Sequence, residues 1–362
     1  MPTPMIRPNS ENRVAWVDYA KGFCIIMVVM MHSTLGVGDA LGGQGILHGV
    51  VAFARPFRMP DFFLIAGLFL SQTINRDWRT FADRKIIHFG YFYLLWLVIQ
   101  VIVKYARPTP SGLAEAVDQF GFGLVEPLGT LWFIYLLPIF FVTTKLLRPV
   151  PPVLVWIAAA LLETARISSG STVVDEFASR YVYFFSGYLL SSHFFALAAW
   201  ARSHKKAATG ALGVWACFEA LLTFIPTPFA NYPNYASLPL ISLIAGFIGA
   251  GAVIVGASLL SEIRFTSWLR YCGRNSIVIY LAFFLPMAAT RTAIVHSGLV
   301  TDVSLASALV TFAGVTVPLI LHALVRGTRL KFLFERPAMF WLVPAFKTGE
   351  AQPAQRVAAT RG

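Results

Sequence analysis

Apolar residues come in blocks of about bilayer length along this chain, with short polar or basic stretches between them. A helix needs about 20 predominantly apolar residues to cross a hydrocarbon core. Segments of that character lie at 16–36, 46–70, 86–103, 129–147, 152–167, 179–200, 208–226, 238–260, 274–294 and 303–325. Together they predict an all-α integral membrane protein with about ten transmembrane helices, each satisfying its own backbone hydrogen bonds in lipid. Residues 1–15 then form an N-terminal tail, 16–325 the membrane domain and 326–362 a basic tail. That tail sets Phe332, Phe334, Phe340, Trp341 and Phe346 among basic residues, too short an apolar stretch to span and suited to the lipid–water interface. The run at 22–35 follows Asp18 and precedes no convincing small-residue cleavage site, so it is expected to be a retained first span.

The basic residues alternate from loop to loop. Arg7 and Arg13 precede the first span, and 37–45 carries no Lys or Arg. Arg76, Arg79, Arg84 and Lys85 follow the second span, whereas Lys104 and Arg107 in the next loop are diluted by Glu115, Asp118 and Glu126. Lys145 and Arg148, then Arg202, Lys205 and Lys206, then Arg264, Arg270 and Arg274, and finally Arg326, Arg329, Lys331 and Arg336 continue the alternation. The intervening loops hold Asp175 and Glu176 or, at 226–237, no charge. Short loops rich in Lys and Arg stay in the cytoplasm, so both termini are expected there. The formal net charge of +12 is then mostly topology, and no nucleic-acid partner is implied.

Composition agrees: 57% of residues are hydrophobic and 13% charged, about half the charged share of a soluble domain. Cys24, Cys217 and Cys272 are far apart, without CxxC spacing or neighbouring histidines, so neither a disulfide framework nor a metal site is indicated. Ala245, Gly246, Gly249, Ala250, Ala252 and Gly256 repeat at small-xxx-small spacing, which reads as close helix packing.

Charged groups inside spans are costly and mark candidate sites. On the first span Asp18, Lys21 and His32 are separated by 3 and 11 residues. At about 100° per residue Lys21 and His32 fall within about 20° of one face, with backbones about 16 Å apart. A snorkelling lysine and a satisfied core histidine would account for the same two residues. The alternative is one tunnel that both border, filled by an extended substrate. A second interruption is Arg55-Pro56-Phe57-Arg58-Met59-Pro60-Asp61. It fits either an outer interface with Arg58 and Asp61 paired, or a polar cavity facing His32, since broken helix at membrane depth needs protein or water beside it. Arg84-Lys85-Ile86-Ile87-His88 opens the third span with cations that could meet phosphates. Trp132 and Thr130 on the fourth span, and Gly273-Arg274-Asn275-Ser276 leading to Tyr280, complete the candidates.

The stretch from Asp18 through Lys21 to His32 resembles the acyltransferase family 3 membrane proteins, in which a basic residue, ten residues and a histidine recur. Lys21 in place of arginine is similar to the fucose 4-O-acetylase-like branch. Phe57-Arg58-Met59-Pro60-Asp61-Phe62-Phe63-Leu64-Ile65-Ala66-Gly67 resembles the family's MPxFFxxSG stretch, with Ala66 for serine and Asp61 for an apolar residue. Lys85-Ile86-Ile87-His88 occupies the place of its RxxR motif, and Leu131-Trp132-Phe133 and Gly273 through Leu281 resemble later landmarks. Many members carry a second histidine where this chain has Phe283.

The resemblance implies a ten-helix, multi-pass inner-membrane enzyme that takes an acyl group from cytoplasmic acyl-CoA, acetyl-CoA being the first expectation. The acyl group would go to a hydroxyl of a carbohydrate or lipid-linked glycan. His32 would be the general base, and Arg58 would polarise the thioester oxygen or the acceptor. Asp18 would orient Lys21, while Lys21, Lys85 and His88 would hold donor phosphates. Trp132, Asn275 and Tyr280 would line the acceptor side. No serine or cysteine nucleophile stands at a matched position, and Cys24 sits on an apolar face, so direct transfer is preferred and no metal is expected. A polytopic secondary transporter also has broken helices and intramembrane charges, and a noncatalytic scaffold of the same fold is the other rival. No convincing repeat relates the two halves of the chain.

Overall fold

The computed structural model describes residues 14–105 and 110–343, and among them every regular element is helical. Arg7, Arg13, Arg107 and Phe346 lie outside the described residues. The long first helix α1 (Ala15–Leu41) is central and more than half buried, and ends at Gly42, whose left-handed φ of 71° returns its N–H to the Gly38 carbonyl. After α2 (Ile46–Ala54), Pro56 supplies no N–H to continue the ladder, so the chain turns and restarts as α3 (Arg58–Gly67). Pro60 falls in the first turn of α3, where a missing donor costs nothing.

Next, α4 (Trp78–Ala82), a π-helical turn at Asp83–Ile87 and α5 (His88–Tyr105) make one continuous rod. Thr80 N–H donates to Asp77 at 2.8 Å at its start, which holds that carboxyl below the usual carboxylate range. Then come α6 (Pro110–Gly123), α7 (Trp132–Leu146) behind a 3₁₀ turn at Gly129–Leu131, and α8 (Pro152–Thr164). The pair α9 (Thr172–Leu189) and α10 (Ser191–Ser203) is bent by 75°. Then α11 (Lys205–Phe224), α12 (Pro239–Leu260) and the short α13 (Ser267–Arg274) lead to α14 (Ser276–Ala282) and α15 (Phe284–Ser297), a pair bent by 52°. The last long helix is α16 (Val303–Val325).

Six of these helices are long and apolar enough to cross a membrane, and eight spans result if each bent pair counts as one. The two remaining expected segments, 46–70 and 152–167, form shorter helices. The ten residues of α3 and the 13 of α8 rise about 15 and 20 Å, short of a core about 30 Å thick. Asp175 and Glu176, expected in a loop, belong to the first turns of α9. Little of α11 is buried, leaving Val214, Phe218 and Leu221 exposed as a helix facing lipid would be.

Close crossings fix the interior. A side chain on Gly67 would overlap the Phe184 carbonyl, and one on Gly187 would overlap the Leu64 carbonyl, so α3 and α9 meet backbone to backbone. Gly22 and Gly273 make the same reciprocal contact between α1 and α13. On α12, Gly246 receives Tyr183 and Gly249 receives Phe57.

Contacts between loops respect the charge alternation. Arg274 and Arg270 approach Asp18 at 3.3 and 3.8 Å, Lys145 Nζ donates to the Ile74 and Arg76 carbonyls, and Lys205 pairs with Glu262 at 3.4 Å. Elsewhere Ile46 N–H donates to Ser304 Oγ, Arg166 Nη2 to the Ser237 carbonyl, and Ser171 Oγ to Glu126. Each contact joins two segments that the Lys and Arg pattern assigns to one side.

The expected interfacial tail divides. Phe334 is buried against Trp96 at 5.7 Å, and Arg336 and the Leu342 N–H both bind buried Asp83, at 3.1 and 2.8 Å. Phe340 and Trp341 stay 44% and 40% exposed, as interfacial aromatics would.

Overpacking a close crossing costs about 1–3 kcal/mol or more. Gly67→Ala and Gly187→Ala are therefore expected to lower the melting temperature in detergent by several degrees. Gly210→Ala, with nothing within 4 Å of its side-chain position, serves as the neutral comparison, and equal melting of all three would contradict the crossing.

Candidate functional site

Two chambers sit side by side against α1. The first, about 270 Å³, is bordered by Lys21 and Cys24 of α1, Ala66 of α3, Lys85 of the π turn and Ser276 of α14. The second, about 220 Å³, is bordered by His32 of α1, Arg58 of α3, Thr130 and Trp132 at the start of α7, and Glu176 and Arg180 of α9. Eleven residues of one helix thus carry Lys21 to one chamber and His32 to the other. Where one tunnel is the expectation, two cavities adjoin, and Phe62, Phe133 and Tyr280 border both as a shared aromatic wall.

That wall is a packed aromatic cluster. Phe62 and Phe133 meet edge to face at 4.5 Å, and Phe133 meets Tyr280 at 5.6 Å. The Tyr280 hydroxyl donates to the Thr130 carbonyl and accepts the Ile134 N–H, tying α14 to the first turn of α7. Its hydrogen-bonding capacity is therefore spent on backbone, and the ring is its contribution to both chambers.

In the second chamber His32 makes no hydrogen bond to a described residue, and its ring lies 5.6 Å from that of Phe283, which is fully buried. The position at which the resemblance offers a second histidine is thus beside His32 and is filled by a phenyl ring. Arg58 is only 9% exposed, yet its Nε and Nη1 have no hydrogen-bond partner. The pairing of Arg58 with Asp61 across one helical turn does not form. Asp61 instead accepts the Cys24 thiol at 2.7 Å, between α3 and α1. Arg180 pairs with Glu176 at 2.9 Å along α9.

Of the residues singled out from sequence, Lys21 and Lys85 meet at the first chamber, and His32, Arg58, Trp132 and Tyr280 at the second. Lys85 also lies 4.2 Å over the Phe141 ring. Three others border neither chamber. Asp18 is buried against Arg274 and Arg270 of α13. His88 packs edge-on against Phe89 and Phe92, because the wider π turn changes the face presented by the helix between Lys85 and α5. Asn275 donates to the Tyr271 carbonyl at 2.9 Å, while its neighbour Ser276 reaches the first chamber.

Sequence reasoning missed Glu176 and Arg180, whose only signal was an acidic pair in an expected loop. Cys24, expected only on an apolar face, donates to Asp61. The signal there was Asp61, a carboxylate where an apolar residue is common, which needed a buried partner. Among the described residues no three His, Cys, Asp or Glu side chains gather as metal ligands would.

A family model described as an acyltransferase domain matches residues 14–323. The inner membrane protein YcfT of Escherichia coli (strain K12) is 27% identical over 160 residues, which cover 38% of this chain and 44% of that protein. The chain therefore spans less than half the length of that curated relative. No solved structure matches.

Removing the Tyr280 hydroxyl would strand a buried carbonyl and N–H, at a cost of about 1–3 kcal/mol. Tyr280→Phe is expected to lower the melting temperature in detergent by a few degrees while keeping the wall intact. An unchanged melting curve would show that the hydroxyl does not tie α14 to α7.

Proposed function

Because the chain belongs to the acyltransferase family 3 membrane proteins, we propose that it is a multi-pass O-acyltransferase of the inner membrane. It moves an acyl group, acetyl as the first choice, from cytoplasmic acyl-CoA to a hydroxyl of a carbohydrate or lipid-linked glycan. The observation that carries this reading is the pair of abutting chambers: two lysines border one, a histidine and two arginines the other, and an aromatic wall is shared between them.

Positive-inside topology puts the lysine-lined chamber toward the cytoplasm. Lys21 and Lys85 hold the phosphates of the donor there by charge. The apolar lining of Phe69, Phe89 and Leu137 accepts the acyl-bearing arm. Rotation of Phe62 or Phe133 opens the wall, and the thioester enters the second chamber. The acceptor hydroxyl lies against His32 with its sugar ring on Trp132. His32 takes the hydroxyl proton as the oxygen attacks the thioester carbonyl carbon. The carbon–sulfur bond breaks, and the coenzyme thiolate leaves with a proton returned from the imidazolium. Arg58 supplies positive charge on the acceptor side in a poorly solvated space, where charge acts strongly.

His32→Ala is expected to abolish release of free thiol from acyl-CoA by the purified protein in nanodiscs supplied with a panel of saccharide acceptors. Membrane insertion and abundance should stay unchanged, and full retained activity would remove His32 from the base role. Lys21→Gln and Lys85→Gln are expected to raise the KM for acyl-CoA about tenfold each, one charged contact being worth about 1.4 kcal/mol, while kcat changes less. A KM unmoved in both variants would place the donor phosphates elsewhere. Mass spectrometry of surface polysaccharide and membrane lipids from a deletion strain identifies the acceptor.

A further inference from the structure

The second chamber carries a positive charge that none of the carboxylates lining it pairs with. Its walls include two guanidinium groups, Arg58 and Arg180, and one carboxylate, Glu176. Glu176 is committed to Arg180 Nε at 2.9 Å. Arg58 is 9% exposed, its Nε and Nη1 are unpartnered, and it takes part in none of the ion pairs among the described residues. Asp61, three residues away on the same helix, is turned to the Cys24 thiol. A buried guanidinium without an anion is strongly destabilising, more so at membrane depth. Arg58 also heads α3, whose positive dipole end adds to its charge. The chamber therefore offers an anion the unpartnered donors of Arg58.

Resting on the acyltransferase reading above, we propose that the natural acceptor is anionic, and that Arg58 with Arg180 holds a carboxylate or phosphate oxyanion of it beside the hydroxyl presented to His32. A guanidinium offers a planar fork of donors that matches either oxyanion. Trp132 lies in the same chamber to stack on the sugar ring, and Thr130 adds a hydroxyl. The carboxylate would belong to an acidic sugar and the phosphate to a phosphosugar or the phosphate link of a lipid-borne glycan. Both sources present the same oxyanion to the same fork.

The test measures binding of three probes to the full-length protein in nanodiscs without acyl-CoA: methyl glucoside, methyl glucuronide and methyl glucoside 6-phosphate. We expect at least one anionic probe to bind about tenfold or more tighter than methyl glucoside, the size of one charged contact. Preference for the glucuronide identifies a carboxylate acceptor, and preference for the phosphate a phosphorylated one. Arg58→Gln should remove the preference. Arg180→Gln, at a partly exposed residue that folding tolerates better, should reduce it several-fold while binding of the neutral probe stays within twofold. Equal binding of all three probes to the wild type, or a preference that survives both substitutions, would overturn the proposal. Because acyl-CoA is absent, anion preference without any later thiol release counts against the acyltransferase reading alone. Thiol release with neutral acceptors only counts against this proposal alone.

Discussion

Gly67 and Gly187 let the backbones of α3 and α9 touch, and this contact holds a ten-residue helix at membrane depth although its first turn carries both Arg58 and Asp61. Without it α3 would have no reason to sit inside the bundle, because a short helix headed by charges gains little from lipid. With it, the N-terminal end of α3 is pressed between α1 and α9. Arg58 then meets the chamber wall from α9, while Asp61 meets Cys24 on α1. The proline break at Pro56 makes this arrangement possible, since it frees α3 to take its own direction.

The separation of Arg58 from Asp61 organises the electrostatics of the interior. Two opposite charges one helical turn apart could neutralise each other, and the site would then be a closed ion pair. Here one carboxylate oxygen accepts a thiol and the carboxylate is turned away from Arg58, so the guanidinium stays available to the chamber. Asp18 repeats the principle at the basic end of α1, where Arg274 and Arg270 take its charge. Asp61 and Asp18 are thus kept out of the chambers by local partners, and the charged groups bordering the chambers are mostly cationic, with Glu176 the one carboxylate.

Much of this was readable from the chain. The apolar blocks locate the helices, and the Lys and Arg alternation predicts which loops meet, because hydropathy and charge act locally and additively. The stripe on α1 likewise follows from helical periodicity alone. What could not be read depends on three-dimensional neighbours. The 75° bend after Leu189 falls inside a block with no proline, at Leu190 and Ser191. The aromatic wall is assembled from α3, α7 and α14, and nothing in the spacing of Phe62, Phe133 and Tyr280 marks them as partners. His88 fails for a subtler reason: a single π turn is invisible in composition, yet it decides which face of the helix reaches the chamber.

Phe283 brings these strands together at His32. A second imidazole at that position would orient the first and share its proton, as paired histidines do. A phenyl ring 5.6 Å away offers neither service. It can only confine His32 sterically and keep that side of the ring dry. In the proposed transfer His32 gains a proton, and a neighbouring group of opposite charge would lower the energy of that state. An anion held beside it on Arg58 and Arg180 would do that for the imidazolium. On the proposed reading, the phenyl ring at Phe283 and the unpartnered Nε and Nη1 of Arg58 fit together, because the substrate itself would complete the electrostatics of the site.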